Sequence, residues 1–165
     1  MRTMRKAMRL MGAMVGTALA LSGCAQGPAT AGRNADAAPV VLRIAADPDA
    51  NGRRPVAVDV VRAGDTAMAA RLGSMDAASW FHARDTLRNE GTARIAIVSW
   101  EVVPGQNVAL GSLPPFAATP VATFVYALYA APGLHRQRVD GGAPLAVRLG
   151  RDGFTLETLA GGGVP

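Results

Sequence analysis

Apolar side chains recur at every second position through much of this chain, the spacing of strands that bury one face. Val40, Leu42, Ile44 and Ala46 alternate with Val41, Arg43 and Ala45. Val56, Val58 and Val60 do the same around Ala57 and Asp59. Residues 93–103 form a longer strand candidate, with Ile95 and Ile97 on one face and Val98, Trp100 and Val102 on the other. Pro104-Gly105 turns the chain into a further strand over 108–113. Residues 121–130 are apolar on both faces, as a central strand would be: Phe124, Tyr126 and Leu128 oppose Val125, Ala127 and Tyr129. Leu145, Val147 and Leu149 lead into Gly150-Arg151-Asp152-Gly153 and then Phe154 and Leu156. This pattern predicts a hairpin closed by Asp152-Gly153, residues that tolerate positive φ.

Residues 65–90 break the alternation. They contain many alanines and few β-branched residues, and Asp65 and Asp76 are candidate helix N-caps. Ala77, Trp80, Phe81, Arg84 and Leu87 recur at helical spacing, so Trp80 and Phe81 are expected to pin this segment against a sheet. His82 lies about 100° around the helix from Phe81 and should face solvent. The pattern as a whole predicts a mainly β protein: a sandwich of seven or eight strands over residues 40–159, with a helical insertion after the second strand.

The N-terminus carries a different signal. Arg2, Arg5, Lys6 and Arg9 precede an apolar run over 10–21, which ends in Leu21-Ser22-Gly23-Cys24. The run is too short for a bilayer core of about 30 Å, which needs about 20 residues. Basic, apolar and small-residue segments in that order are those of a signal peptide. Its end resembles the bacterial lipobox, in which the cysteine is lipidated and becomes the first mature residue. Residues 1–23 are thus a predicted lipoprotein signal peptide, with lipid attachment at Cys24. Ala25 after the cysteine matches the sorting pattern for the outer membrane. Residues 24–39 are rich in Ala, Gly, Pro, Asn and Thr and are expected to be a disordered tether, with a mean reach of roughly 20 Å. The Gly-rich residues 160–165 are expected to be a frayed tail.

The leader also accounts for the basic balance. The chain has 17 Lys+Arg, 12 Asp+Glu and a net charge of +5. Four of those cations and no acid lie in residues 1–23, so 13 cations against 12 acids leave +1 on the rest. That balance gives no footprint for nucleic acid. Lys6 is the only lysine and Cys24 the only cysteine, which excludes lysine-base chemistry and an internal disulfide from the mature chain. The two histidines, His82 and His135, have no metal-ligand spacing, and no G-x-S-x-G elbow supports a catalytic serine. No enzymatic activity is expected, and no cofactor beyond the lipid on Cys24.

Asp47-Pro48-Asp49-Ala50-Asn51-Gly52 matches the first half of a calcium-binding EF-hand loop. The match ends there: Val58 stands where the bidentate glutamate belongs, and both flanks read as strands rather than helices. Asp, Pro, Asn and Gly are also the residues of tight strand connections. A plain loop without metal is the reading these flanks favour.

The order of these segments resembles the outer-membrane lipoproteins of bacterial type VI secretion systems, the TssJ or SciN-like family. A lipobox and tether precede the strand Val40-Val41-Leu42-Arg43-Ile44. A loop through Gly52-Arg53-Arg54-Pro55 enters a valine-rich strand, and helical Ala78-Ser79-Trp80-Phe81 follows. Val102-Val103-Pro104-Gly105-Gln106 is similar to the family's apolar-Pro-Gly turn, and residues 124–130 to its strand near the end. The chain departs from the family at Arg62-Ala63-Gly64, where an aromatic-Gln-Leu segment is frequent, and at Asp47-Pro48-Asp49, where Asn-Pro-Asp is more usual.

The resemblance implies a transthyretin-like sandwich without catalysis, anchored to the periplasmic face of the outer membrane. It implies a partner, the periplasmic C-terminal region of the large inner-membrane component TssM. It also implies a contact loop between the first two strands, here Asp47, Asp49, Asn51, Arg53 and Arg54. The alternative from the residues alone is a lipid-anchored periplasmic binding or inhibitor module with an unrelated ligand.

Overall fold

The alternation at the head of the domain becomes strand β1 (Leu42–Ala46), with Leu42, Ile44 and Ala46 buried and Arg43 exposed. The computed structural model describes residues 41–140 and 143–159. The predicted leader 1–23, the tether 24–39 with Cys24, Val40, Gly141, Gly142 and the tail 160–165 lie outside the described residues. After β1 come β2 (Val56–Ala63), helices α1 (Thr66–Gly73) and α2 (Ala77–Arg88), β3 (Ile95–Val102) and β4 (Asn107–Leu110). Then follow β5 (Ala122–Leu128), β6 (Arg136–Val139), β7 (Leu145–Leu149) and β8 (Phe154–Thr158).

The eight strands form two four-stranded sheets. One has the order β4-β1-β7-β8, with β1 and β7 parallel and the other pairs antiparallel. The second, β3-β2-β5-β6, is antiparallel throughout. Leu42, Ile44, Val56, Val58, Val60, Val125, Val147 and Leu149 fill the space between the sheets. The expected sandwich with a helical insertion after the second strand is the observed architecture.

Three details differ from the sequence expectation. The fourth strand runs over 107–110 rather than 108–113, because Leu110 pairs with Leu42, the first residue of β1. Beyond it β1 offers no further rung, and Leu113 packs on the core from a loop. Strand β6, with the sequence RQRV, has no apolar alternation to announce it, as suits a short edge strand carrying charge. The β7–β8 hairpin forms as expected, with the Gly150 N–H donating to the Gly153 carbonyl. Neither Asp152 nor Gly153 takes positive φ there.

The helices cover the outer face of the second sheet, so β2 and β5 are buried on both faces. Met68, Leu72, Trp80 and Leu87 descend from the helices onto Val61, Ala63, Phe124 and Tyr126. Asp65 and Asp76 cap α1 and α2, each accepting a 2.7 Å hydrogen bond from the backbone N–H three residues on. Both carboxyl pKa values lie below the ordinary range. For Asp65 the Arg94 guanidinium is the leading cause, and for Asp76 the Ser79 backbone N–H. Trp80 stacks on Tyr126 at 4.9 Å, and the Tyr126 hydroxyl donates to the Leu72 carbonyl at 2.7 Å. Phe81 is half-buried, with the Arg84 guanidinium over its ring at 4.8 Å, while His82 is exposed as expected. Trp80 is therefore the pin, and Phe81 packs at the edge of the contact.

The alternation placed Asp59 on an outward face, yet its side chain is fully buried. Trp80 Nε1 donates to one carboxylate oxygen at 2.9 Å, and Arg84 pairs with it at 3.0 Å. Removing one partner of a buried pair costs about 3–5 kcal/mol because the remaining charge is stranded. Asp59→Ala should therefore destabilise the domain by about 3 kcal/mol or more in chemical denaturation. A change below about 1 kcal/mol would show that the helix layer is held without this carboxylate.

Candidate partner-binding surface

The predicted contact loop lies between β1 and β2, and its shape follows from three consecutive left-handed residues. Asn51, Gly52 and Arg53 have φ of 49°, 61° and 68°. Glycine adopts this region freely and asparagine tolerates it, whereas arginine at such a φ is uncommon. The surroundings hold it there. Asn51 is buried, donates from Nδ2 to the Pro55 carbonyl at 3.0 Å and accepts from the Ala130 N–H at 2.8 Å. The Arg53 N–H donates to the Ala50 carbonyl at 2.8 Å.

These bonds tie together all four connections at this end of the sandwich. The Asn51 N–H donates to the Gly150 carbonyl in the β7–β8 turn. The Gly105 N–H of the β3–β4 turn donates to the Ala46 carbonyl. In the β5–β6 connection Tyr129 stacks on His135 at 4.8 Å and donates its hydroxyl to the Gly153 carbonyl at 2.8 Å. Burial, and after it the nearby negative charge of Asp47, push the Tyr129 pKa above the ordinary phenol value, so the group remains a hydrogen-bond donor.

The five loop residues named from sequence thus separate by role. Asn51 spends both ends of its carboxamide inside the protein and fixes the loop's path. Asp47 pairs with Arg148 of β7 at 3.1 Å, on the open face of the first sheet. Asp49 and Arg53 line a cleft of about 300 Å³ together with Gly52 and Arg151. Arg53 and Arg54 are exposed and make no ion pair among the described residues. Arg151 joins them from the β7–β8 turn, where the sequence signalled only a hairpin. Val103 and Leu134, 49% and 63% exposed, add apolar surface from the other two connections. This end therefore offers unpaired guanidinium groups beside exposed aliphatic side chains on an ordered frame, a combination suited to protein contact.

The calcium spacing is not realised as a cluster of free donors. The Asn51 oxygen already accepts the Ala130 N–H, and the Asp47 carboxylate faces Arg148. Among the described residues there is no group of three or more His, Cys, Asp or Glu side chains placed to hold a metal.

Two four-stranded sheets and a two-helix insertion after the second strand are also the arrangement to which known structures correspond. The type VI secretion lipoprotein TssJ1 from Pseudomonas aeruginosa superposes with a TM-score of 0.53 at 16% identity, over 75% of this chain and 95% of that one. The fold is TssJ-like. A chain of a type VI membrane complex gives 0.54 at 22% identity, over 72% of this chain and 95% of that one. A chain in the structure of the type VI protein TssM C-terminal domain from EAEC gives 0.50 at 17% identity, over 72% and 96%. No family model and no curated protein matches the sequence. The transthyretin-like sandwich implied by the segment order is thus the observed class, reached at identities that speak to fold alone.

The loop's dependence on Asn51 can be measured. Asn51→Ala removes two part-buried side-chain hydrogen bonds and leaves an alanine at positive φ without the polar contacts that hold asparagine there. A loss of about 2–3 kcal/mol in denaturant titration is expected, from unsatisfied buried groups of about 1–3 kcal/mol each less some relaxation. Wild-type stability in this variant would mean that the loop is held by its other contacts.

Proposed function

We propose that this chain is a non-catalytic, lipid-anchored component of a type VI secretion membrane complex. In this reading it sits on the periplasmic face of the outer membrane and binds the periplasmic C-terminal region of TssM. The observation that carries it is the TssJ-like fold, matched over 95% of the lipoprotein TssJ1, in a chain whose leader ends in Leu21-Ser22-Gly23-Cys24. The likeness to chains of a type VI membrane complex and of a TssM C-terminal domain structure supports the choice of partner. Among the described residues no helix is long and apolar enough to cross a membrane. Attachment would then rest on lipid at Cys24, where two or more chains give stable anchoring at about 0.8 kcal/mol per buried CH₂.

The contact would use Arg53 and Arg54 with Arg151 beside them, on a loop whose path is set by Asn51. Exposed arginines away from a core change stability by only about 0.5 kcal/mol when truncated, whereas interface anchors cost about 2 kcal/mol or more. The Arg53→Ala, Arg54→Ala double variant should keep its melting temperature and lose about thirtyfold or more in affinity for the periplasmic fragment of TssM by calorimetric titration. Unchanged affinity would remove these two arginines from the interface, and no binding by the wild type would favour an unrelated periplasmic ligand.

The anchor has its own test. Cys24→Ser should abolish palmitate labelling and shift the protein out of the membrane fraction, because the thioether requires sulfur. Labelling of the serine variant at the wild-type level would overturn the assignment of Cys24.

A further inference from the structure

Strands β4 and β8 are the edges of one sheet, and β3 and β6 the edges of the other. A free edge is a template for another strand, and folds blunt it with shortness, charge or a cover. Three of these edges are blunted. β4 is only four residues long. β6, equally short, carries Arg136 and Arg138. On β8 the Phe154 carbonyl accepts a 2.8 Å hydrogen bond from the Gln137 side chain of β6. β3 has none of these devices: it runs for eight residues as IAIVSWEV, without proline and with Glu101 as its one charge.

The ladder with β2 settles which backbone groups of β3 point away. The Gly64 N–H donates to the Arg94 carbonyl, and the register continues unbroken from Ala63 with Ile95 to Val56 with Val102. In an antiparallel pair, successive residues turn their backbone groups alternately to the partner strand and to the open side. Ala96, Val98 and Trp100 thus address β2, whereas Ile97, Ser99 and Glu101 turn both N–H and C=O outward. The strand ends obey the same alternation: the Ile95 N–H reaches the Gly91 carbonyl, and the Val103 N–H the Gln106 side chain. Among the described residues no strand, turn or side chain supplies such a bond to Ile97, Ser99 or Glu101.

We propose that this edge pairs with the β3 edge of a second copy of the chain, antiparallel and centred on Ser99. That register sets Ser99 against its own counterpart and Ile97 against the second copy's Glu101, so outward-facing groups meet on both strands. A two-fold interface has to fit itself, and this one does so in three ways. Val98 meets the second copy's Trp100, a β-branched and aromatic pair of the kind that stabilises sheets. Glu101 lands beside Ile97, which lines a groove of about 470 Å³ together with Arg88. Val103, exposed in the single chain, falls opposite Ile95 in the lining of that groove, where Pro115 and Phe116 add apolar surface. The two-fold runs the strands of the copies in opposite directions, so the two 47–54 loops lie at opposite ends of the pair. The pairing uses no residue of those loops and stands independently of the contact with TssM.

The test uses the full chain in detergent micelles, where sedimentation equilibrium should show a reversible monomer–dimer equilibrium. Ser99→Pro removes an N–H that β2 does not use, a position at which an edge strand tolerates proline. It should keep the melting temperature and weaken the dimer about tenfold or more, the loss of the central pair of bonds. Ser99→Cys should form a disulfide-linked dimer under mild oxidation, well above the wild-type level, because opposed residues lie about 5.5 Å apart between Cα atoms. Glu157→Cys, exposed on β8, should stay at that level, and this comparison decides the matter if the proline variant fails to fold. A monomer at every concentration overturns the proposal and leaves the edge to a strand of some other protein. Dimerisation of Ser99→Pro at wild-type strength overturns it by moving the contact off β3. Equal cross-linking at residues 99 and 157 does so by marking random collision.

Discussion

The buried carboxylate of Asp59 is the point on which the layering of this protein turns. A strand in the middle of a sheet can be wet on one face, and β2 would be so if nothing lay across it. Trp80 and Arg84 converge on Asp59 from α2, and their hydrogen bonds fix where that helix sits. With the helix in place, Val61, Ala63, Phe124 and Tyr126 acquire an apolar cover, and Trp80 stacks on Tyr126. A charged group in a dry interior seldom adds stability relative to a well-packed hydrocarbon. What it supplies is position, since the indole N–H and the guanidinium can meet it in only one arrangement. The ion-paired set Asp65, Arg94, Glu90 and Arg71 then closes the helical insertion at its exposed side.

The two ends of the sandwich are built on opposite principles. At the 47–54 end no buried side-chain polar atom among the described residues lacks a partner, and Arg53 and Arg54, which make no ion pair among them, lie outside in water. At the other end Arg62 is turned inward and incompletely satisfied. The first arrangement presents charge to solvent from a rigid frame. The second spends a cation on the backbone of its own connecting segment, through the Pro114 carbonyl.

How much of this the sequence disclosed depends on how local each determinant is. The β1 alternation, the β7–β8 hairpin and the Asp65 and Asp76 caps are settled by residues within a few positions of one another, and all were legible. Strand β6 was not, because RQRV gains its place only by pairing with β5. Asp59 misled because alternation assumes one wet face, and the helix that dries the other lies 21 residues on. At the candidate site, the Asp-Pro-Asp-Ala-Asn-Gly run announced a loop. It did not say that Asn51 turns inward, since its acceptor and donor partners are Pro55 and the distant Ala130. The company of Arg151 also had to wait for the fold, which brings the β7–β8 turn beside Arg53.

The parallel pairing of β1 with β7 has a mechanical consequence. The chain leading to Cys24 joins β1 at its N-terminal end, and the 47–54 loop leaves from its C-terminal end. Tension between an anchor at Cys24 and a partner on that loop would travel along β1 itself, about 17 Å of extended backbone at about 3.3 Å per residue. The strand is flanked on both sides, by β4 and by β7. Pulling it lengthwise would load those two ladders in shear, with all rungs strained together, instead of unzipping them one at a time. The helices and the second sheet lie off this line, so traction could pass through the domain without reaching Asp59.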